Sequence, residues 1–183
     1  MERRKNGQVV VIIALVIAIV CMSVGFAAFS SELKITGTAK VAASKWDVHF
    51  VTTSYAEKTN SVVATSKDIQ NLVATYAVTL TKPGDFYSFD IDVINDGTFD
   101  ATLKTLTLTE LTDAQKKYLT YEVTYGSTVY TSSQTGLAID LAASATTKVN
   151  VKVSYVMPES SDDLPADDVN ITLTAALGYE QKA

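Results

Sequence analysis

The chain has 183 residues, of which 47% are hydrophobic and 19% are charged, a composition typical of a packed globular protein and not of a disordered one. Fifteen Lys and Arg residues against 20 Asp and Glu residues give a net charge of −5, and this acidic balance argues against nucleic acid and anionic lipid as partners. The single cysteine excludes an intramolecular disulfide, so the fold must depend on its core.

The N-terminus has the order of a signal peptide. A short basic region precedes an apolar run that begins at Val9, and small residues follow that run. Gly25 and Ala27 stand where a signal peptidase accepts only small side chains, which predicts a cut between Ala27 and Ala28. We therefore expect a signal peptide with a hydrophobic helix over 1–27 and a mature domain over 28–183. The mature protein would be secreted, to the extracellular matrix or to the cell surface.

An uncleaved anchor is the alternative for this segment. The apolar stretch from Val9 to Phe29 could cross roughly 30 Å of hydrocarbon at about 1.5 Å per residue. Only in that case would the chain contact a membrane. The first 27 residues hold three positive charges and one negative charge, so their removal leaves 12 against 19 and a net charge of −7.

Alternation of apolar and polar residues predicts strands along most of the mature chain, because period two is typical of a strand with one buried face. In chain order, the apolar positions are Leu33, Ile35, Ala39 and Val41; Trp46, Val48 and Phe50; Leu72, Ala74, Tyr76, Val78 and Leu80; Phe89, Ile91 and Val93; Tyr121, Val123 and Tyr125; Val149, Val151, Val153 and Tyr155; and Ile171, Leu173, Ala175, Leu177 and Tyr179.

Turn signals separate these rows at 82–85, 95–97 and 125–127, with the spacing of an antiparallel β-sandwich. Ala101 and Leu103 share one parity and Leu106 and Leu108 the other, so a single strand there needs a bulge near Lys104–Thr105. The sequence therefore predicts an all-β, antiparallel sandwich.

One short helix is also predicted. Thr112 and Gln115 form a capping-box pattern, in which each side chain satisfies a free main-chain donor, and the helix should end by Tyr118 or Leu119. The polar stretch Pro158–Asp168 is predicted to be a loop.

The chain offers little for catalysis, and we assign it no enzyme activity, no catalytic residues and no metal ligands. Its only histidine, His49, is predicted to point outward beside Asp47, and one histidine supplies neither a zinc site nor a convincing triad base. Four carboxylates in the polar loop could hold calcium: Asp162, Asp163, Asp167 and Asp168. We expect a solvated loop instead, because their spacing matches no known calcium loop.

Two segments resemble a known family. The first is Gly25-Phe26-Ala27-Ala28-Phe29-Ser30-Ser31 with the following Leu33-Lys34-Ile35-Thr36-Gly37-Thr38. The second is the turn Lys82-Pro83-Gly84-Asp85, an alternating strand to Ile94, and the turn that contains Asn95 and Gly97. Together they resemble the TasA and camelysin group of bacterial biofilm-matrix and surface proteins, which are exported with a signal peptide that the peptidase SipW removes.

The resemblance implies a jelly-roll sandwich whose subunits assemble head to tail into extracellular fibres. Each subunit would lend its N-terminal strand, within about 28–41, to complete a sheet of its neighbour. The residues that the resemblance proposes for this exchange are Ala28, Phe29, Ser30, Ser31, Leu33 and Ile35. An apolar, proline-free segment is compatible with strand addition. The alternative is that Leu33–Val41 pairs within its own domain, and both can hold if only Ala28–Glu32 is exchanged.

Three functions follow as hypotheses. The leading one is a secreted structural protein that polymerises with itself by strand exchange and meets a SipW-type peptidase during export. The second is a monomeric surface-binding module that uses Tyr55, Tyr87 and Tyr130, which are predicted to lie in or near loops. The third is a secreted metallopeptidase, because camelysin has been classed as one. The shortage of ligands argues against it.

Overall fold

Residues 12–20, 43–60 and 62–182 are described by the computed structural model of the protein. The chain divides into two units, Met1–Ala42 and Ala43–Ala183. In the first unit, residues 12–20 form a helix whose side chains are exposed. Within the described ranges, no helix is long and apolar enough to cross a membrane. The predicted cleavage site and the predicted exchange segment lie outside the described residues.

Among the described residues of the second unit there are ten strands. They are β1 (Val48–Thr59), β2 (Ala64–Gln70), β3 (Val73–Leu80), β4 (Phe86–Asn95), β5 (Ala101–Leu108), β6 (Leu119–Tyr125), β7 (Thr128–Tyr130), β8 (Gln134–Leu141), β9 (Thr146–Tyr155) and β10 (Val169–Gln181). A 3₁₀ turn at Gln115–Lys117 precedes β6, and a second at Ser161–Asp163 lies in the loop before β10.

The strands form two antiparallel sheets of five. Sheet A has the order β1-β4-β9-β6-β7, and sheet B has the order β2-β3-β10-β5-β8. The buried side chains of both sheets belong to one hydrophobic core. In that core the ring of Tyr76 in sheet B lies 5.5 Å from that of Tyr87 and 5.4 Å from that of Phe89 in sheet A. The predicted antiparallel, mostly β fold is confirmed.

The predicted apolar rows of the described strands point into this core, with one clear exception. Trp46 was expected to face inward with Val48 and Phe50, yet 45% of its surface is exposed. The reason is that pairing with β4 begins only at Val48, opposite Asn95. Trp46 therefore precedes the strand, and the alternation of a sheet does not apply to it.

The predicted bulge in β5 is confirmed. β10 pairs Gly178 with Thr105 and Tyr179 with Leu103, so Lys104 has no partner in the ladder. This extra residue restores the parity of the strand, and Ala101, Leu103, Leu106 and Leu108 are all buried.

The predicted helix start is confirmed as a single 3₁₀ turn. The main-chain NH of Gln115 donates to Thr112 Oγ1 at 3.2 Å, and the main-chain NH of Thr112 donates to Gln115 Oε1 at 2.9 Å. These reciprocal bonds are those of a capping box. The turn ends at Lys117, one residue before the predicted limit.

Candidate strand-acceptor site

The turn at Lys82–Asp85 is fixed by its last residue. Gly84 has a φ of +97°, which suits the third position of a type II turn, and the NH of Asp85 donates to the carbonyl of Lys82 at 3.1 Å. The Asp85 carboxylate accepts hydrogen bonds from the NH and hydroxyl of Thr81, both at 3.0 Å. Burial alone would raise the pKa of Asp85, but these bonds and that from Lys82 together lower it. The carboxylate is thus used in holding the turn.

The turn at Asn95–Gly97 contacts the start of the second unit and the main chain at Phe99 and Leu141. The Asn95 side chain is fully buried and donates to the carbonyls of Phe99 at 2.8 Å and Leu141 at 3.0 Å. Its Oδ1 accepts from the NH of Gly97 at 3.1 Å. A Cβ on Gly97 would lie 2.8 Å from the carbonyl oxygen of Lys45, so only glycine lets the entering chain pass this closely.

The entering segment 45–47 is held against this turn by main-chain bonds. The NH of Thr98 donates to the carbonyl of Lys45 at 2.9 Å, and the NH of Asp96 donates to that of Asp47 at 2.7 Å. His49 lies beside Asp47 as predicted, with Nδ1 2.7 Å from Oδ1. Hydrogen bonds with Lys45 and, to a smaller extent, with His49 lower the pKa of Asp47. The second unit therefore begins at a fixed place.

The structure gives these acidic and histidine side chains no metal-binding arrangement. Within the described part of the chain, no three His, Cys, Asp or Glu residues stand close enough to hold an ion. The carboxylates of the 158–168 loop therefore do not converge as a calcium site would need, and Asp163 pairs with Lys117 at 2.7 Å instead.

The tyrosines expected in loops lie on strands. Tyr87, on β4, is fully buried, so the expectation that it offers an exposed ring is wrong. Tyr55, on β1, is half-buried and shares the carboxylate of Glu57 with Tyr87, its hydroxyl donating at 2.8 Å and that of Tyr87 at 3.0 Å. Tyr130 is half-buried on β7. The alternation that predicts an inward-facing Phe89 also predicts an inward-facing Tyr87, so the sequence did contain a signal for its burial.

Three of the four sheet edges carry features that hinder further pairing. β1 has a register break between Val51 and Ala56, and the NH of its Phe50 already donates to the carbonyl of Asn71 at 2.7 Å. β2 bears Lys67 and Asp68, and β8 contains Gly136 at a φ of +70°. Charges and irregular backbone of this kind protect edge strands from addition.

The fourth edge is open over half of its length. β9 pairs with the whole of β6, but β7 pairs only with Val123–Tyr125. The NH of Val156 donates to the carbonyl of Tyr118 at 2.8 Å, so even-numbered residues of β6 bond towards β9. By alternation, the NH and CO groups of Leu119 and Tyr121 point to the uncovered side, where no described residue pairs with them.

A groove of about 420 Å³ lies beside this open half. Its floor includes Leu119 and Tyr121, both buried, and Leu111, which packs on the core from the chain after β5. Burial raises the pKa of Tyr121 and keeps its hydroxyl protonated. Glu110 and Lys116 line the groove with exposed side chains. The groove thus joins free main-chain groups to an apolar floor, as strand addition requires.

The groove and the chain entry lie at opposite ends of sheet A. In the β4–β9 ladder Phe86 pairs with Ser154 and Ile94 with Thr146, and Leu119 of β6 pairs with Tyr155 of β9. The open half of β6 is therefore at the Phe86 end, whereas segment 45–47 is held at the Asn95 end. The nine intervening steps of β4 span about 30 Å at about 3.4 Å per residue.

Comparison with protein-family models, with curated proteins and with solved structures found no match to this chain. The resemblance to the TasA and camelysin group therefore stays a prediction from the sequence.

Proposed function

We propose that the chain is a secreted structural protein that polymerises outside the cell by donating its N-terminal strand to the groove of a second copy. The observation that carries this proposal is the open half of β6, Leu119–Glu122, with its unpaired main chain beside a groove that has an apolar floor. Such an edge is a liability in a monomer and is useful where a strand is to be added.

The strand order supports a jelly roll as the finer description of the fold. Leaving out β1 and β2, sheet B reads β3-β10-β5-β8 and sheet A reads β4-β9-β6-β7. Numbered from one to eight, these are the orders 1-8-3-6 and 2-7-4-5 of two interleaved Greek keys. In this description β1 and β2 are additions at one side, and a donated strand would lie beside β6, in line with the short strand β7.

The separation of donor and acceptor supports an open filament. The chain enters the domain at the Asn95 end, and the groove lies at the Phe86 end. A donor joined to one end and an acceptor at the other make a heterologous contact, which repeats without closing. A closed dimer would need both segments to fold back along the whole sheet.

The proposal includes the export route that the sequence predicts. A SipW-type signal peptidase would cut between Ala27 and Ala28, and the mature chain would begin with the donor segment. Mass spectrometry of protein recovered from the medium tests this, because the mature N-terminus must be Ala28. An N-terminus at Met1 would show that the segment is retained as an anchor.

Negative-stain electron microscopy of mature protein tests the polymerisation. The comparison is between residues 28–183 and the same protein without Ala28–Glu32. We expect fibres from the first and single particles from the second, because the truncated chain keeps the groove and loses the donor. Single particles from both, at high concentration and over a range of pH, would exclude self-assembly.

A monomeric surface-binding module is the second candidate, and one observation favours it. A wide groove of about 780 Å³ crosses the outer face of sheet A. In it the buried Asp90 accepts hydrogen bonds from Asn150 at 2.7 Å and pairs with Lys58 at 2.6 Å. Donors and acceptors held side by side suit a neutral polyhydroxy ligand. Polysaccharide binding that is lost in Asn150→Ala, by a protein that stays monomeric, would favour this function.

A further inference from the structure

The acceptor groove is closed at one end. β7 occupies the edge of β6 from Val123 onward, and the chain that leaves β7 lines the groove with Thr131 and Ser132. The other end, beyond Leu119, is where the 3₁₀ turn precedes β6. A strand that lies along Leu119–Glu122 must therefore stop at Val123, and it can continue only past Leu119.

This closure sets the direction of the donated strand. In the proposed assembly the donor is joined at its C-terminal end to its own folded domain, which begins at Ala43. Only its free end, Ala28, carries nothing that would collide with β7. Ala28 must then lie near Glu122 at the closed end, and the chain must leave past Leu119. The donor runs antiparallel to β6.

The alternation of the donor restricts its register. Its apolar residues Phe29, Leu33 and Ile35 are odd-numbered, and so are the inward-facing residues of β6. Opposite residues of an antiparallel pair share a face, so odd must stand opposite odd. The register that fills the open half has Phe29 opposite Tyr121 and Ala28 opposite Glu122.

Charge complementarity agrees with this placement. Glu32 of the donor comes level with Tyr118, next to Lys116, whose ion pair is a 3.5 Å contact with the fully exposed Asp113. The amino group of Ala28 comes level with Glu122, which otherwise pairs with Lys152 at 3.4 Å. In the opposite direction, Glu32 would lie at the Glu122 end of the groove and oppose a like charge.

We propose that the groove takes the mature N-terminus of a second copy antiparallel to β6, with Phe29 opposite Tyr121, the Ala28 amino group at Glu122 and Glu32 at Lys116. This inference rests on the proposed function and adds the direction and register of the contact. Apolar burial of Phe29 supplies affinity, and the two charged contacts select the register.

Disulfide cross-linking tests the direction. The mature chain lacks cysteine, because Cys21 is the only one and lies before Ala28. Thr120→Cys is placed in the acceptor and combined in turn with Ala28→Cys, Ser30→Cys or Glu32→Cys, each protein being assembled and then oxidised. Thr120 faces outward on β6 and would form a non-hydrogen-bonded pair with the donor. Only a directly opposite cysteine therefore brings the two Cα atoms near enough for a disulfide, roughly 4.5 Å apart.

We expect cross-linked ladders, reversible by reductant, to be several-fold stronger with Ser30→Cys than with the other two. When the acceptor cysteine is moved to Glu122→Cys, the strongest partner should become Ala28→Cys. A shift to Glu32→Cys instead would mean a parallel strand and would overturn the inference while polymerisation stands. Failure of the unmodified protein to polymerise under the same conditions would overturn the proposed function itself.

Charge exchange tests the register independently. Glu32→Lys should slow fibre growth, and Lys116→Glu in the same chain should restore it, because the exchanged pair is again complementary. Glu32→Lys with Asp113→Lys is the control, since it changes a neighbouring charge without restoring the pair. Equal growth of the single, double and control variants would overturn the contact between Glu32 and Lys116.

Discussion

Single residues in the turns at Lys82–Asp85 and Asn95–Gly97 fix the backbone, and Asp85 is the clearest case. Its carboxylate accepts three hydrogen bonds at the point where β3 passes into β4. Asp85→Ala should lower the free energy of unfolding by about 1–3 kcal/mol, because three hydrogen bonds to a buried carboxylate are lost. Denaturant unfolding measures this. Asp113→Ala, which removes the same charge from a fully exposed side chain, is the matched control and should change stability little.

The same residue predicts a pH dependence. Since the pKa of Asp85 is lower in the folded protein than in the unfolded chain, its contribution is present above the unfolded pKa. The contribution is lost as the pH falls through the lowered folded pKa. The stability difference between the protein and Asp85→Ala should therefore be constant near neutrality and shrink below about pH 4. A difference that grew on acidification would contradict the assignment.

Gly97 makes a prediction about the start of the domain. In Gly97→Ala the new Cβ would stand 2.8 Å from Lys45 O and 3.0 Å from Asp47 N, so the entering segment has to move. Hydrogen exchange should quicken at the amides of Asp96 and Thr98, which donate to that segment. The amide of Gly84, bonded to Tyr155 at the other end of the sheet, should keep its protection and serves as the internal control.

At the scale of elements, the bulge in β5 sets the register of that strand, since it keeps the leucines on both sides of it facing the core. Deleting Lys104 would turn Leu106 and Leu108 to the opposite face, because strand side chains alternate. Exposing two buried leucines should cost about 3 kcal/mol or more, as seen in thermal or denaturant unfolding. Lys104→Ala keeps the residue count and should stay within about 0.5 kcal/mol of the parent. Similar losses in both variants would contradict this account.

Central strands were predictable and three of the four edge strands were not, for a physical reason. β4, β9 and β10 have a partner on each side and an unbroken apolar row facing the core. β2, β7 and β8 are edges with largely exposed side chains, so their sequences need no regular alternation, and none of the three was predicted. Their existence depends on the neighbours that they pair with.

The candidate site was only half predictable. The proposed donor has a local signal in the sequence, an apolar alternating segment after the predicted cleavage site. The acceptor groove has no local signal in the sequence. It arises because β7 is too short to cover β6, and because the segments that follow β5 and β7 both line the space beside β6. Leu111, Leu119 and Thr131 come from three separate parts of the sequence, and only the fold brings them together.

At the scale of the molecule, the net charge opposes assembly. Each subunit of the proposed mature form would carry −7, so neighbouring subunits in the proposed filament would repel one another. Raising the salt from 0.01 M to 0.15 M shortens the screening length from about 30 Å to about 8 Å and should speed fibre growth. Light scattering during growth measures this. Slower growth in salt would mean that the charged contacts of the donor outweigh the general repulsion.

The opposite placement of chain entry and groove also has a mechanical consequence. Tension along a filament would enter each subunit at segment 45–47 and leave at Leu119–Tyr121, which are the two ends of sheet A. The pull would run nearly parallel to β1, β4, β9 and β6, across ladders whose hydrogen bonds lie perpendicular to the strands. The bonds of each ladder would then share the load in shear, and none would be peeled open singly. Such a subunit suits a fibre that must bear stress.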